Sequence, residues 1–165
     1  MQRSATSVAV SDAGPLIALA RLDRLALPGG LFDRILVPEA VLNECTARPE
    51  LDDAARIRRA CEDGPLTVCV AEPIDAVHLG RGERNAIGKA LEVGAVLLAD
   101  DLAARRQAIA LRLTAIGTLG VLVGAKRKRL LSEVRPLIDA LRAGGYWFSD
   151  ETLRVALLAA GEGGT

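Results

Sequence analysis

Aromatic residues are scarce in this sequence: Phe32, Tyr146, Trp147 and Phe148 are all it has, 2% of the chain. That argues against modules that bind nucleic acid by stacking bases on a ring-bearing sheet. Histidine occurs once, at His78. A His-based triad or a multi-His metal site would have to be centred there, and no neighbouring residue supports it, so it reads as a loop or helix-edge histidine. The three cysteines, Cys45, Cys61 and Cys69, are odd in number and include no CxxC pair. This speaks against a zinc cage and a disulfide framework. Net charge is also absent, with 21 basic residues against 21 acidic ones. No overall field draws the chain to nucleic acid or to membrane, so an anionic partner must be met by a local cluster. The uncharged run Leu113 to Ala125 is 13 residues long and holds three glycines, short of the ~20 residues that span a bilayer. Asp12 interrupts the start before a hydrophobic signal core forms. These absences leave a soluble protein of the reducing cytoplasm, with no membrane partner.

What is present is a core-forming composition. The 165 residues are half hydrophobic and a quarter charged, which suits one domain over residues 1–165, with a core of about 7–130 and a helical C-terminal extension over 131–165. Short apolar runs at Ser7–Val10, Ile35–Val37, Leu66–Val70, Val96–Leu98 and Leu113–Ile116 read as strands, the third as an edge strand. Helical patterns follow them: Leu16–Leu22 after Pro15, a helix opened by Pro38 through Cys45, a charged helix over Asp52–Cys61, and Gly82–Val93 stopped by Gly94. Further helices span Leu102–Leu111, Thr118–Ala125 and Pro136–Arg142, and Ser149 or Asp150 caps a last one. The Gly-rich end, Gly161–Thr165, reads as frayed. Apolar strands that each feed a helix predict an α/β fold, a three-layer α/β/α domain around a central parallel sheet.

Two phosphate-loop patterns fail. Gly80-Arg81-Gly82 opens like a dinucleotide fingerprint, but Asn85 stands where its last glycine belongs. Gly82 to Gly88-Lys89 is one residue too long for a nucleoside-triphosphate loop, and Ala90 replaces its Ser or Thr.

The chemistry-bearing pattern is acidic. In an open parallel sheet, ligands bind beyond the carboxyl ends of the strands. Asp12 follows the first strand, and Asp100-Asp101 follow Val96–Leu98. Glu83 begins the helix before that strand, on its sheet-facing stripe, and Glu44 lies in the helix after the second strand. Each acid also has an ordinary explanation. Asp12 can bond a turn, Glu83 favours a helix N-terminus, and Asp100 or Asp101 can cap the next helix. Gathered at one rim, however, they would repel unless protonated or bridged by a cation. Oxygen-only ligands select magnesium or manganese, which can activate a water and steady charge on a phosphate. Glu39 rivals Glu44, but five residues apart on a helix they point ~140° apart, so only one of them serves.

Four segments then carry a family resemblance: VSDAGPLIALARL (10–22), ILVPEAVLNEC (35–45), LGRGERNAIGKALEVGAVLLADDLAARRQA (79–108) and IGTLGVLVGAKRKRLL (116–131). Together and in this order they resemble the PIN-domain family, which includes the VapC-like toxin ribonucleases and prokaryotic PIN-like proteins described as predicted nucleic-acid-binding proteins. The resemblance implies a metal-dependent ribonuclease in which Asp12, Glu44, Glu83 and the Asp100-Asp101 pair hold one or two Mg2+ or Mn2+ ions and cut RNA with metal-activated water. By its spacing from Gly94, Asp101 matches the family's last acid, with Asp100 as the alternative. The chain departs from the toxins at Glu83, where they commonly carry Asp, and at Ala99, where they carry Ser or Thr. The resemblance further implies the toxin of a type II pair, restrained by a small antitoxin, and a homodimer. Arg81, Arg84, Arg105, Arg106, Lys126 and Arg127 are the candidates for holding RNA phosphates. The ordinary reading of Lys126 and Arg127 is that they complement a helix C-terminus. The competing function is a non-catalytic PIN-like module that binds nucleic acid or protein.

Overall fold

The computed structural model describes residues 7–164. Its sheet has five strands: β1 (Val8–Ser11), β2 (Arg34–Pro38), β3 (Leu66–Cys69), β4 (Val96–Leu98) and β5 (Ala115–Ile116). All pair in parallel, in the order β3-β2-β1-β4-β5, so β3 is an edge. The chain therefore winds outward from β1 in one direction, then returns to lay β4 and β5 on its other side. The reversal falls between β1 and β4, which makes their carboxyl ends the topological switch point.

Among the described residues, eight α-helices flank this sheet: α1 (Ala13–Arg21), α2 (Glu39–Cys45), α3 (Asp52–Asp63), α4 (Arg81–Val93), α5 (Leu102–Ala110), α6 (Thr118–Arg127), α7 (Arg135–Ala143) and α8 (Asp150–Ala159). The three-layer α/β/α arrangement is as the apolar strands predict. Val10, Val37, Leu97 and Leu98 have no solvent exposure, because a parallel sheet is covered on both faces. Helix α4 lies across β1, β2 and β4 and also touches α2 and α5, while α1 packs on α2, α3 and α6. Of the expected stripe Ala86, Ile87, Ala90 and Leu91, the first three are buried as their spacing requires, while Leu91, in the last turn of α4, is 39% exposed. Gly94 ends α4 in the left-handed conformation, at φ 67°, where a side chain would be strained.

Two local expectations are corrected. Helix α1 begins at Ala13 rather than after Pro15, because Pro15 falls in the first turn, where backbone N–H groups have no helical partner anyway. The glycine-rich end is pinned rather than frayed as far as it is described; Thr165 lies outside the described residues, as do the first six. Glu162 Oε1 accepts from Lys126 Nζ at 2.8 Å and from the Val134 N–H at 2.6 Å, and Oε2 accepts from the Arg135 N–H at 2.9 Å. That one side chain ties the tail to the end of α6 and the start of α7. A 3-10 turn at Leu27–Gly30, with no apolar periodicity to announce it, packs against α6. Among the described residues no helix is long and apolar enough to cross a membrane.

Candidate active site

The acids converge on the switch point. Asp12 is the N-cap of α1, and its N–H donates to the Leu98 carbonyl at 2.8 Å, extending the β1–β4 ladder by one step. Its side chain is 6% exposed, makes no capping hydrogen bond, and leaves Oδ1 buried without a partner. Burial raises its carboxyl, the Ala13 N–H draws it partly back, and the charges of Glu83, Glu44 and Asp101 raise it again, to about 7 in all. Glu44 is raised as well, by burial and then by Glu83. Gly82, in the first turn of α4, provides the close approach: a Cβ there would stand 2.6 Å from Glu44 Oε2 and 3.6 Å from Asp12 Oδ1. Asp12 thus feels the charges of Glu44, Glu83 and Asp101, although the four come from the end of β1, from α2, from α4 and from the end of β4.

The ordinary readings also hold for two of them. Glu83 Oε2 accepts from the Gly80 N–H at 2.8 Å, and Asp101 Oδ1 accepts from the Ala104 N–H at 2.8 Å, capping α5. Each uses one oxygen this way. Asp100 uses both, Oδ1 accepting from the Thr118 N–H at 2.7 Å and Oδ2 from the Thr118 hydroxyl at 2.6 Å. Asp100 therefore joins the end of β4 to the start of α6. Among the described residues, no three His, Cys, Asp or Glu side chains stand close enough to hold one ion between them. The donor set nonetheless fits a hard divalent cation in chemistry, all oxygen, with the unpartnered Oδ1 of Asp12 beside Glu44. Asp12 and Glu44 would hold it first, with Glu83 and Asp101 each retaining an oxygen outside its cap.

The basic candidates separate. Arg81, at the start of α4, and Arg106, within α5, are exposed. Arg105 lies by Asp100, since a Cβ on Gly117 would stand 2.9 Å from Asp100 Oδ1 and 3.6 Å from Arg105 Nη1, and Arg105 Nε is buried without a partner. The other three have structural work. Arg84 Nε donates to the Ile74 carbonyl at 3.0 Å. Lys126 pairs with Glu162, and Arg127 Nη2 reaches the Ala159 carbonyl at 3.3 Å. Lys126 lies eight residues beyond Thr118 along α6, about 12 Å from the acidic edge at 1.5 Å per residue. It and Arg127 are thus placed away from the acids, where they anchor the tail. Glu39 points away from Glu44, as the helical angle requires, into a separate cleft with Asn85. Asn85 is a buried polar residue that sequence reasoning noticed only as a missing glycine. Its place among the buried Ala86 and Ile87 was the available signal. His78 is exposed in a loop, and Cys45 is buried, its thiol pushed up to about 12 by burial and then by Glu44 and Asp12.

The fold has solved counterparts. A PilT N-terminus domain protein from the hyperthermophilic archaeon Sulfolobus solfataricus is similar in structure, with a TM-score of 0.52 and 18% identity, over 72% of this chain and 92% of that one. A domain of a functionally unknown protein from Methanocaldococcus jannaschii matches with a TM-score of 0.47 and 19% identity, over 67% of this chain and 90% of that one. No curated protein matches the sequence. A family model described as a PIN domain matches residues 8–162. The match runs through β1, α2, α4 and the end of β4, all four sources of the acidic group, and the chain belongs to the PIN-domain family.

Proposed function

We propose that this PIN domain is a metal-dependent ribonuclease that hydrolyses RNA phosphodiester bonds. PIN domains are generally nucleases and typically use divalent metals. The observation that carries the reading is Asp12: a buried carboxylate with an unpartnered oxygen at the switch point of a parallel sheet, with Glu44 nearby and the charges of Glu83 and Asp101 acting on it. Such an arrangement opposes stability and is characteristic of a functional site. Bound there, Mg2+ or Mn2+ would supply a nucleophilic water and offset charge on the phosphate. Asp12 fixes the site to the rigid sheet, because its backbone is part of the β1–β4 ladder. Glu44 brings a second carboxylate over Gly82. Asp101 and Glu83 are positioned by their own helix starts, and Arg105 and Arg106 meet the phosphate chain. In the same reading the protein is a toxin in the cytoplasm, restrained by a small antitoxin, and acts as a homodimer. Val155 and Leu158, 51% and 63% exposed on α8, support an interface with protein.

The test is RNA cleavage in manganese, repeated with a chelator and with Asp12→Asn. Cleavage that survives both manipulations would overturn the reading. The capping roles of Glu83 and Asp101 favour the second reading, a non-catalytic PIN-like binding module. No cleavage, together with no melting shift in millimolar manganese, would decide for that module.

A further inference from the structure

Beside the acidic group, at the carboxyl ends of β2 and β3, lies a second cleft of about 280 Å³. Its walls carry Glu39 and Asn43 from α2, Arg81 and Asn85 from α4, and Val70 and Glu72 from the segment after β3. The two sites share elements: Asn43 precedes Glu44, while Arg81 and Asn85 bracket Gly82 and Glu83.

Asn85 is 6% exposed, and its Oδ1 has no hydrogen-bond partner. Buried side-chain polar atoms in folded proteins are nearly always paired, so an unpaired amide oxygen on a residue that lines a cleft is unexplained by the fold. The wall opposite is held rigid. Arg84 and Ile74 exchange two hydrogen bonds, Arg84 Nε to the Ile74 carbonyl at 3.0 Å and the Ile74 N–H to the Arg84 carbonyl at 3.1 Å. Gly88 lets the Glu72 carbonyl lie directly against α4, where any side chain would collide with it. A cleft with fixed walls loses little freedom when it binds.

Its chemistry narrows the occupant. Two carboxylates against one guanidinium disfavour a phosphate. The Glu39 and Glu72 carboxylates only accept hydrogen bonds, and the Asn43 and Asn85 amides can both donate and accept, which suits a partner that carries paired N–H donors beside an acceptor. Among unpaired bases, guanine presents two adjacent donors, N1–H and N2–H, next to an O6 acceptor that Arg81 can meet. Val70, 67% exposed, offers apolar surface to the base plane. Drug-sized ligands fill roughly 300–1,000 Å³, so this space takes a single base. We propose that the cleft formed by Glu39, Asn43, Arg81, Asn85 and Glu72 is a guanine subsite that selects where the neighbouring acids cut single-stranded RNA. This inference rests on the ribonuclease reading for its biological use, but the binding itself can be observed separately.

Two measurements test it. In the first, a random single-stranded RNA pool is cut in manganese and the ends are sequenced. Guanine should be enriched roughly tenfold or more at one fixed position from the cut. That enrichment should fall to background with Glu39→Gln, an exposed position, and with Asn85→Leu, whose fold is checked by its melting temperature. In the second, guanosine and uridine are titrated separately into nitrogen-15-labelled protein, and the Asn43 and Asn85 side-chain amide signals are followed. Guanosine alone should move them. No positional guanine preference, or one unchanged in Glu39→Gln, overturns the proposal. If the protein cuts no RNA but guanosine still moves both amides, the cleft stands and the nuclease reading falls. If neither amide moves, the guanine site falls whatever the cleavage result.

Discussion

Two carboxylates in this molecule, Asp12 and Glu162, are both drawn into the fold and end in opposite electrostatic states. Glu162 accepts from an ammonium and two backbone N–H groups. Burial raises its carboxyl, but the Lys126 hydrogen bond and the Val134 and Arg135 N–H groups outweigh it and bring the value down to about 2. Asp12 has other acids for neighbours and sits near 7. At the tail, the charge of Glu162 is answered by its neighbours. The switch point is a place where charge is left waiting for something outside the chain.

The sharpest way to break this comparison is Asp12→Asn. Cleavage should fall by more than ~100-fold, the loss that disturbing even outer-shell partners of a metal can cause. Stability should move the other way. Because the folded value of Asp12 lies above its ordinary 3.8, ionising it disfavours the fold, a penalty that grows as pH rises from about 4 through about 7. In chelator at pH 8, Asp12→Asn should therefore melt higher than the parent by the equivalent of a few kcal/mol. At pH 3.5 the gap should close. An equal gap at both pH values would show that burial of the charge is not the cause.

Glu162→Ala should do the reverse, costing about 3 kcal/mol by leaving Lys126 and two N–H groups unanswered, with cleavage per folded molecule retained. Urea unfolding measures the first and specific activity the second. Its pH dependence is also opposite in sign to that of Asp12. Glu162 contributes fully above about pH 4.5, and that contribution is lost as pH falls toward about 2. Acid titration of parent and Glu162→Gln should converge in that window.

Gly82→Ala separates the two properties at one position. Alanine favours a helix interior by about 0.5–1 kcal/mol, yet its Cβ would displace the Glu44 carboxylate 2.6 Å away. A melting temperature equal to or above the parent's, with weaker manganese affinity by calorimetry, is the expected pair of results. The smallest effect belongs to Gly94→Ala, about 1 kcal/mol for φ 67° in open space. It should leave manganese affinity untouched.

Much of this architecture can be read from local pattern. The apolar runs give the strands, Gly94 marks the end of α4, Ser149 caps α8 through the Thr152 N–H at 3.1 Å, and the angle between Glu39 and Glu44 puts Glu39 alone in the neighbouring cleft. Each depends on residues a few positions apart. The partners of the charged groups do not. Asp100 meets Thr118 across 18 positions, and Lys126 meets Glu162 across 36. Two arginines and a lysine that look equally available for RNA in the sequence, Arg84, Arg127 and Lys126, are claimed by carbonyls and a carboxylate that only packing brings near. Asn85 has the opposite history. It looks like a failed glycine in the sequence, and the fold leaves its amide oxygen unpaired.

By itself, then, the order of residues determined the strands, the helices and the identity of the acids at the strand ends, because hydrophobic period and chain punctuation act over one or two turns. Tertiary structure alone decided which charges are satisfied and which are held in reserve. A carboxylate's state depends on what lies within a few ångströms of it, and in this chain those neighbours are tens of residues away.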